Sequence, residues 1–199
     1  MIRISASDLE SLRFWQERDD GSLEDLRRKL RHEEPPTPQM EAGRAFAKMW
    51  ETMRPGAVEV AEVEGWTFDM TDLEAVFRLP PVRELKAEFV LDTPSGPVTL
   101  VGMCDGLDGT TVHDQKLTER WDAEKYLDSL QWRVYLFLFG CRKFQYDVFV
   151  GRYQGKTVKI NEYHPLEFYR YPGLEDDVRA AVNELAEIIS VHLQERVTP

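Results

Sequence analysis

Cysteine is scarce in this chain: Cys104 and Cys141 are the only two among 199 residues. Two thiols cannot build a disulfide framework, a four-cysteine zinc site or a four-thiolate iron–sulfur cluster. No such cluster is expected, and a reducing compartment is the natural setting. Long hydrophobic runs are also missing. The longest, Val134 to Gly140, falls far short of the ~20 apolar residues that span a bilayer. The opening Met1-Ile2-Arg3-Ile4-Ser5 has no signal-peptide pattern. A cytoplasmic protein with no membrane partner is expected. Basic side chains are outnumbered, 25 against 36 acidic, for a net charge of −11. That balance excludes a protein that coats nucleic acid through many Lys/Arg–phosphate contacts. It leaves room for an enzyme that grips a few nucleotides and holds a cation through carboxylates.

What is present reads as an ordinary globular chain, 42% hydrophobic and 31% charged. Ser7 or Asp8 is a candidate N-cap for a short helix carrying Leu9, Leu12, Phe14 and Trp15. Residues 17 to 38 are highly charged and proline-rich at their end, a helical turn followed by a loop. Phe46, Met49, Trp50 and Met53 recur at helical spacing over 39 to 53. From Glu59 to Leu117 the period shifts toward two, as in an antiparallel meander with a turn at Asp108-Gly109. A helix is expected over 122 to 139, stopped by Gly140. Strands are expected at Phe144 to Val150 and 157 to 163, then an amphipathic helix from Leu174 to Leu193. The fold class is therefore α+β, a central mixed sheet with an antiparallel meander, flanked by helices.

The residues with chemistry cluster around the turn at Asp108-Gly109. Side chains two apart on a strand share a face, so Asp114 and Lys116 emerge together. If Asp108 and Gly109 form a two-residue loop, Leu107 pairs with Thr110 and Asp105 with Val112. Asp105 then shares that face, a diagonal neighbour of Asp114 at about 7–8 Å. A three-residue loop would flip the parity. Two carboxylates and a lysine converging in this way suit a hard cation such as Mg²⁺ or Mn²⁺. The cation would bind a scissile phosphate and acidify a water. Lys116 would position that water or accept its proton, and would stabilise charge on the phosphate.

At these positions the sequence resembles the PD-(D/E)XK nuclease superfamily. Asp105 and Asp114 match its two acidic positions, Gln115 the variable residue and Lys116 the lysine. Gln131 and Tyr135, spaced i, i+4 on the next helix, match the Gln-x-x-x-Tyr motif of its RecB-like and phage-exonuclease branch. Ile4-Ser5-Ala6-Ser7-Asp8-Leu9 resembles the opening of RecB-type domains. The resemblance implies a restriction-endonuclease-like fold, with residues 1–199 as one domain. Residues 1–38 form an N-terminal extension, and 151–199 are strands and a helix without a recognisable counterpart. It implies metal ligands at Asp105, Asp114, the Gln115 carbonyl and Glu88, with Gln131 and Tyr135 organising the site and contacting DNA. The family histidine of Gly-x-x-x-His is replaced: Gly43 is followed by Ala47, and Glu41 or Glu51 is a candidate substitute. The implied activity is Mg²⁺- or Mn²⁺-dependent hydrolysis of DNA from its ends, in phage-type recombination, repair or DNA processing, with a recombination or replication protein as a candidate partner.

Arg120, Lys125, Arg133, Arg142 and Lys143 are candidate phosphate contacts, and Trp121 and Trp132 candidate stacking platforms. Residues 101 to 150 hold 6 basic against 8 acidic side chains, so any DNA groove depends on placement of charge rather than its excess. His113 alternates away from Asp114 and reads as a packed or surface residue. The alternative to an enzyme is a nuclease-fold scaffold with weak or absent catalysis, for which the net charge and the missing histidine speak. A sequence-specific endonuclease is disfavoured by the lack of a recognition region.

Overall fold

The computed structural model describes residues 1–54, 59–74 and 77–193. The last residues expected in the C-terminal segment, 194–199, lie outside the described residues. A mixed eight-stranded sheet forms the centre, in the order β1-β5-β6-β7-β8-β3-β2, with β4 on the free side of β5. The strands are β1 (Ile2–Ser5), β2 (Val60–Val63), β3 (Trp66–Asp69), β4 (Val82–Thr93), β5 (Gly96–Asp108), β6 (Thr111–Thr118), β7 (Lys143–Gln154) and β8 (Thr157–Tyr169). The helices are α1 (Ala6–Gln16), α2 (Leu23–Leu30), α3 (Pro38–Thr52), α4 (Glu124–Leu127), α5 (Leu130–Phe139) and α6 (Leu174–His192). Helices flank a central mixed sheet, the expected α+β class.

The sheet divides two cores. Alternation along β7 sends Phe144, Tyr146 and Val148 into a core with α1, α5 and α6, and Phe149 into a second core with α3. Phe149 meets Phe46 at 5.3 Å and Trp50 at 5.1 Å between ring centroids. The meander is shorter than the period-two reading implied. Residues β4 to β6 form it, whereas β2 and β3 make a separate hairpin at the far end, joined to β8 in parallel.

Local chemistry explains the other departures. The first helix is capped by Ser5, not Ser7 or Asp8. The Ser5 hydroxyl accepts from the Asp8 N–H, and the Asp8 carboxylate accepts from the Ser5 N–H. Ser22 and Asp25 repeat this box and start α2, a full helix where only a turn was expected. The helix expected over 122 to 139 is broken in two. Ser129 holds an extended ψ of 132° and caps α5, its hydroxyl accepting from the Gln131 N–H. The β5–β6 loop is Gly109-Thr110, with Asp108 facing Thr111 and Leu107 facing Val112. Gly109 takes φ +58°, a conformation that costs glycine nothing. The pairing is offset by two residues from the expected register, and an even offset preserves alternation.

Candidate active site

β5 and β6 pair only from Gly106 to Asp108 against Thr111 to His113. Beyond that point they part, and β6 runs on beside β7 in parallel. Asp105 and Asp114 sit where the fork opens. The Asp105 carboxylate crosses it, accepting from the Gln115 N–H at 2.9 Å. Within a strand the N–H and C=O of one residue point to the same edge. The Gln115 carbonyl therefore faces the same side as Asp105.

Asp114 is 2% exposed. Its Oδ1 accepts from Gln131 Nε2 at 2.9 Å. Its Oδ2 lies 2.5 Å from the Lys116 ammonium but has no hydrogen bond of acceptable geometry. Burial raises both carboxyls above the usual range. Asp105 is pushed up to about 7, by burial first and by the Asp114 charge second, against the pull of Lys116 and the Gln115 N–H. Asp114 is raised by burial, only partly offset by Lys116. Burial pulls the Lys116 ammonium down, yet Asp114 and Asp105 outweigh it and hold it above its ordinary value. In this state Lys116 is a fixed cation, not a base.

Gln131 and Tyr135 reach the fork from α5 in different ways. Gln131 touches Asp114 directly. Tyr135 donates to the Met103 carbonyl at 2.9 Å, on the stretch of β5 that has left β1 and not yet met β6. Gly102 makes room for it, since a Cβ there would lie 2.7 Å from Leu138 Cδ1 and 2.9 Å from Tyr135 Cε1.

The sequence reading missed four residues. Glu10 of α1 accepts from Ser129 Oγ at 2.7 Å and from the Gln131 N–H at 2.9 Å, tying α1 to the start of α5. Tyr146 shares a hydrogen bond with Ser129 at 3.0 Å and donates to Gln131 Oε1 at 3.4 Å. The chain Glu10–Ser129–Tyr146–Gln131 thus ends on Asp114. No local pattern marks Glu10, because its partners are about 120 residues away. Glu84 stands opposite Asp105, at the one rung where the β4–β5 ladder is interrupted, with φ +52°. Its charge adds to those that raise Asp105. Backbone outliers of this kind cluster at functional sites.

Other expected residues lie elsewhere. Glu88 faces Val101, four residues along β5 from Asp105, and pairs with Arg3 at 2.8 Å and Lys86 at 2.7 Å. Those two cations hold its carboxyl down at about 2. Glu41 reaches Lys156 at 3.5 Å, and Glu51 pairs with Lys48. His113 turns to the other face and meets Asp147 at 2.8 Å. Arg133 is spent on the Ser129 and Asp128 carbonyls, and Lys143 on Glu167. Trp132 is buried against Phe168, while the half-buried Trp121 stacks on His164. Lys125 does approach the site. It and Lys116 line a cavity of about 310 Å³ with Arg13, Phe14 and Tyr126.

The donor set fits a small hard cation. Mg²⁺ is commonly held by one or two carboxylates plus water and substrate phosphate oxygens, and Asp114 is a buried carboxylate whose Oδ2 has the Lys116 ammonium as its partner at 2.5 Å. Among the described residues no group of three or more His, Cys, Asp and Glu side chains converges on a metal position. Two carboxylates and a main-chain carbonyl are the set available. No described helix is long and apolar enough to cross a membrane.

No protein-family model and no curated protein matches this sequence. Among solved structures, the chain is similar to the crystal structure of SSO0001, with a TM-score of 0.50 and 14% identity over 98% of this chain and 78% of that one. At that identity the likeness is one of fold. It also aligns with LHK-Exo in complex with dAMP (TM-score 0.46, 15% identity, 94% of this chain and 88% of that one). A second structure of LHK-Exo, an alkaline exonuclease from Laribacter hongkongensis, aligns with a TM-score of 0.44 at 15% identity, over 97% of this chain and 92% of that one.

Proposed function

We propose that this chain is a divalent-metal-dependent deoxyribonuclease of the PD-(D/E)XK type that hydrolyses DNA from its ends. The observation that carries the reading is the fork at Asp105 and Asp114, with Lys116 on one carboxylate and Gln131 on the other side of it. Asp105, Asp114 and the Gln115 carbonyl would hold Mg²⁺ or Mn²⁺, and Glu84 would supply further negative charge. When bound, the ion would acidify a water and offset charge on the phosphate. Lys116, which its carboxylate neighbours hold cationic in the metal-free protein, would orient that water or the phosphate. Gln131 fixes the Asp114 carboxylate through its amide, and Glu10, Ser129 and Tyr146 fix Gln131. Oriented ligands of this kind tune metal affinity from outside the coordination sphere. Lys125 would offer charge to a DNA backbone entering the adjacent cavity.

A scaffold role is the second reading, favoured by the small metal-ligand set. One assay separates the two. End-labelled linear DNA and covalently closed circles are incubated with the pure protein in Mg²⁺, Mn²⁺ or EDTA. The proposal expects loss of linear DNA with either metal, survival of closed circles, and no cleavage in EDTA. DNA retention without cleavage in any metal would favour the scaffold. Rapid nicking of closed circles would make the enzyme an endonuclease.

A further inference from the structure

β4 pairs with β5 along one edge, and among the described residues nothing pairs with the other. The open edge is long and carries exposed apolar side chains between charged ones: Val82, Leu85, Phe89 and Val90 are 43%, 37%, 46% and 56% exposed. Such an edge is a template for another strand unless something blocks it. Lysine is a common block, and Lys86 sits at the middle of this one.

We infer that this edge pairs with β4 of a second copy of the chain, antiparallel about a two-fold axis at Ala87. Residues opposite one another in an antiparallel pair share a face, and a two-fold axis normal to the sheet keeps faces matched. Only axes centred on a residue satisfy both conditions. Centring on Ala87 sets Lys86 against Glu88 of the other copy, twice. Leu85 then lies against Phe89, twice, and Ala87 against itself. Moving the axis to Lys86 sets Glu84 against Glu88 and lysine against lysine. Moving it to Glu88 sets Glu84 against Asp92 and Glu88 against itself. Like charges directly opposite are destabilising, so the registers centred one residue to either side of Ala87 are disfavoured.

The two faces of this register agree. Lys86 and Glu88 already lie 2.7 Å apart within one chain, with side chains 60% and 40% exposed. A second copy closes these into a square of alternating charge. On the other face Phe89 rests on Phe137 at 5.2 Å between ring centroids. The Leu85–Phe89 pairs extend that apolar surface across the junction. The φ +52° conformation of Glu84 interrupts the regular strand at one end of this stretch.

The test is sedimentation velocity on the full chain over a concentration series, with Lys86→Glu and Glu88→Lys proteins alone and mixed. Each single swap makes both charge pairs alike and should weaken the wild-type dimer by roughly 10-fold or more. Mixed together, the two variants restore unlike pairs and should form a heterodimer. Ala87→Cys in the otherwise unchanged chain should cross-link to itself under mild oxidation, because opposite Cα atoms of an antiparallel pair lie within disulfide reach. Cys104 and Cys141 are buried and do not compete. A wild-type chain that stays monomeric at every concentration overturns the inference. So does a dimer indifferent to both swaps, a mixture that fails to reassociate, or an Ala87→Cys protein that does not cross-link.

Discussion

Replacing Asp105 by Asn should stabilise the metal-free fold, and by an amount that grows with pH. The carboxyl binds its proton more tightly folded than unfolded, its value being pushed from 3.8 up to about 7 by burial and by Asp114. A group raised in this way stabilises the fold fully below about 3.8, and the contribution is lost as pH climbs through about 7. Wild type should therefore lose stability across that window, while the amide, neutral throughout, should not. Integrating the linkage relation gives a variant advantage that grows by about 2–3 kcal/mol between about pH 5 and about pH 8. For a domain of this size that is roughly 5–10 °C in melting temperature. The increment is insensitive to any fixed cost of the amide, such as a weaker acceptor for the Gln115 N–H. Thermal melts in EDTA at several pH values measure it directly. A difference in melting temperature that stays constant over this range, or shrinks as pH rises, would refute the account of Asp105 as a carboxyl ionised against its surroundings.

Lys116→Ala strips the buried Asp114 of its counter-charge and should lower stability, and it should reduce cleavage by about 10²-fold or more, the usual scale for a positioned electrostatic group. Calorimetric Mn²⁺ binding should persist or tighten, and wild-type cleavage in limiting Mg²⁺ would count against the assignment. Gln131→Leu removes the amide that holds Asp114 and should weaken metal binding by about 10–100-fold. Binding unchanged in calorimetry would confine Gln131 to packing. Gly102→Ala drives a methyl into Tyr135 and Leu138 and should cost about 1–3 kcal/mol in urea unfolding. A neutral result would mean that α5 yields without strain.

Parts of this molecule are local enough to read from sequence. The Phe46, Met49, Trp50 spacing gives α3, and the glycine near Asp108 gives the hairpin. The offset of the strand pairing by two residues left the convergence of Asp105, Asp114 and Lys116 untouched because strand alternation repeats every two. The break at Ser129 was hidden for the opposite reason. Residues 122 to 139 carry a continuous apolar stripe, and the competing hydrogen bond comes partly from Glu10, a tertiary partner that no helical period reports. Glu88 was named from the resemblance alone, and alternation makes every second residue of β4 equivalent. Only the register with β5 tells which of them stands opposite Asp105.

The same long-range connections give the site its electrical character. Glu10, Glu84, Asp105 and Asp114 gather around a partly buried fork, with the Lys116 ammonium lodged on Asp114 and Arg13 on Glu10. A protein of net charge −11 thus concentrates negative charge at the place where an anionic backbone is proposed to react. Lys116 alone cannot reverse that sign, since it is matched one-to-one by Asp114. On the proposed reading, DNA is admitted to the fork only after a divalent cation has offset the two carboxylates. The excess of acid is then a gate that couples substrate binding to metal binding. Metal-free repulsion between Asp105 and Asp114 and metal-dependent attraction for phosphate are two consequences of one arrangement.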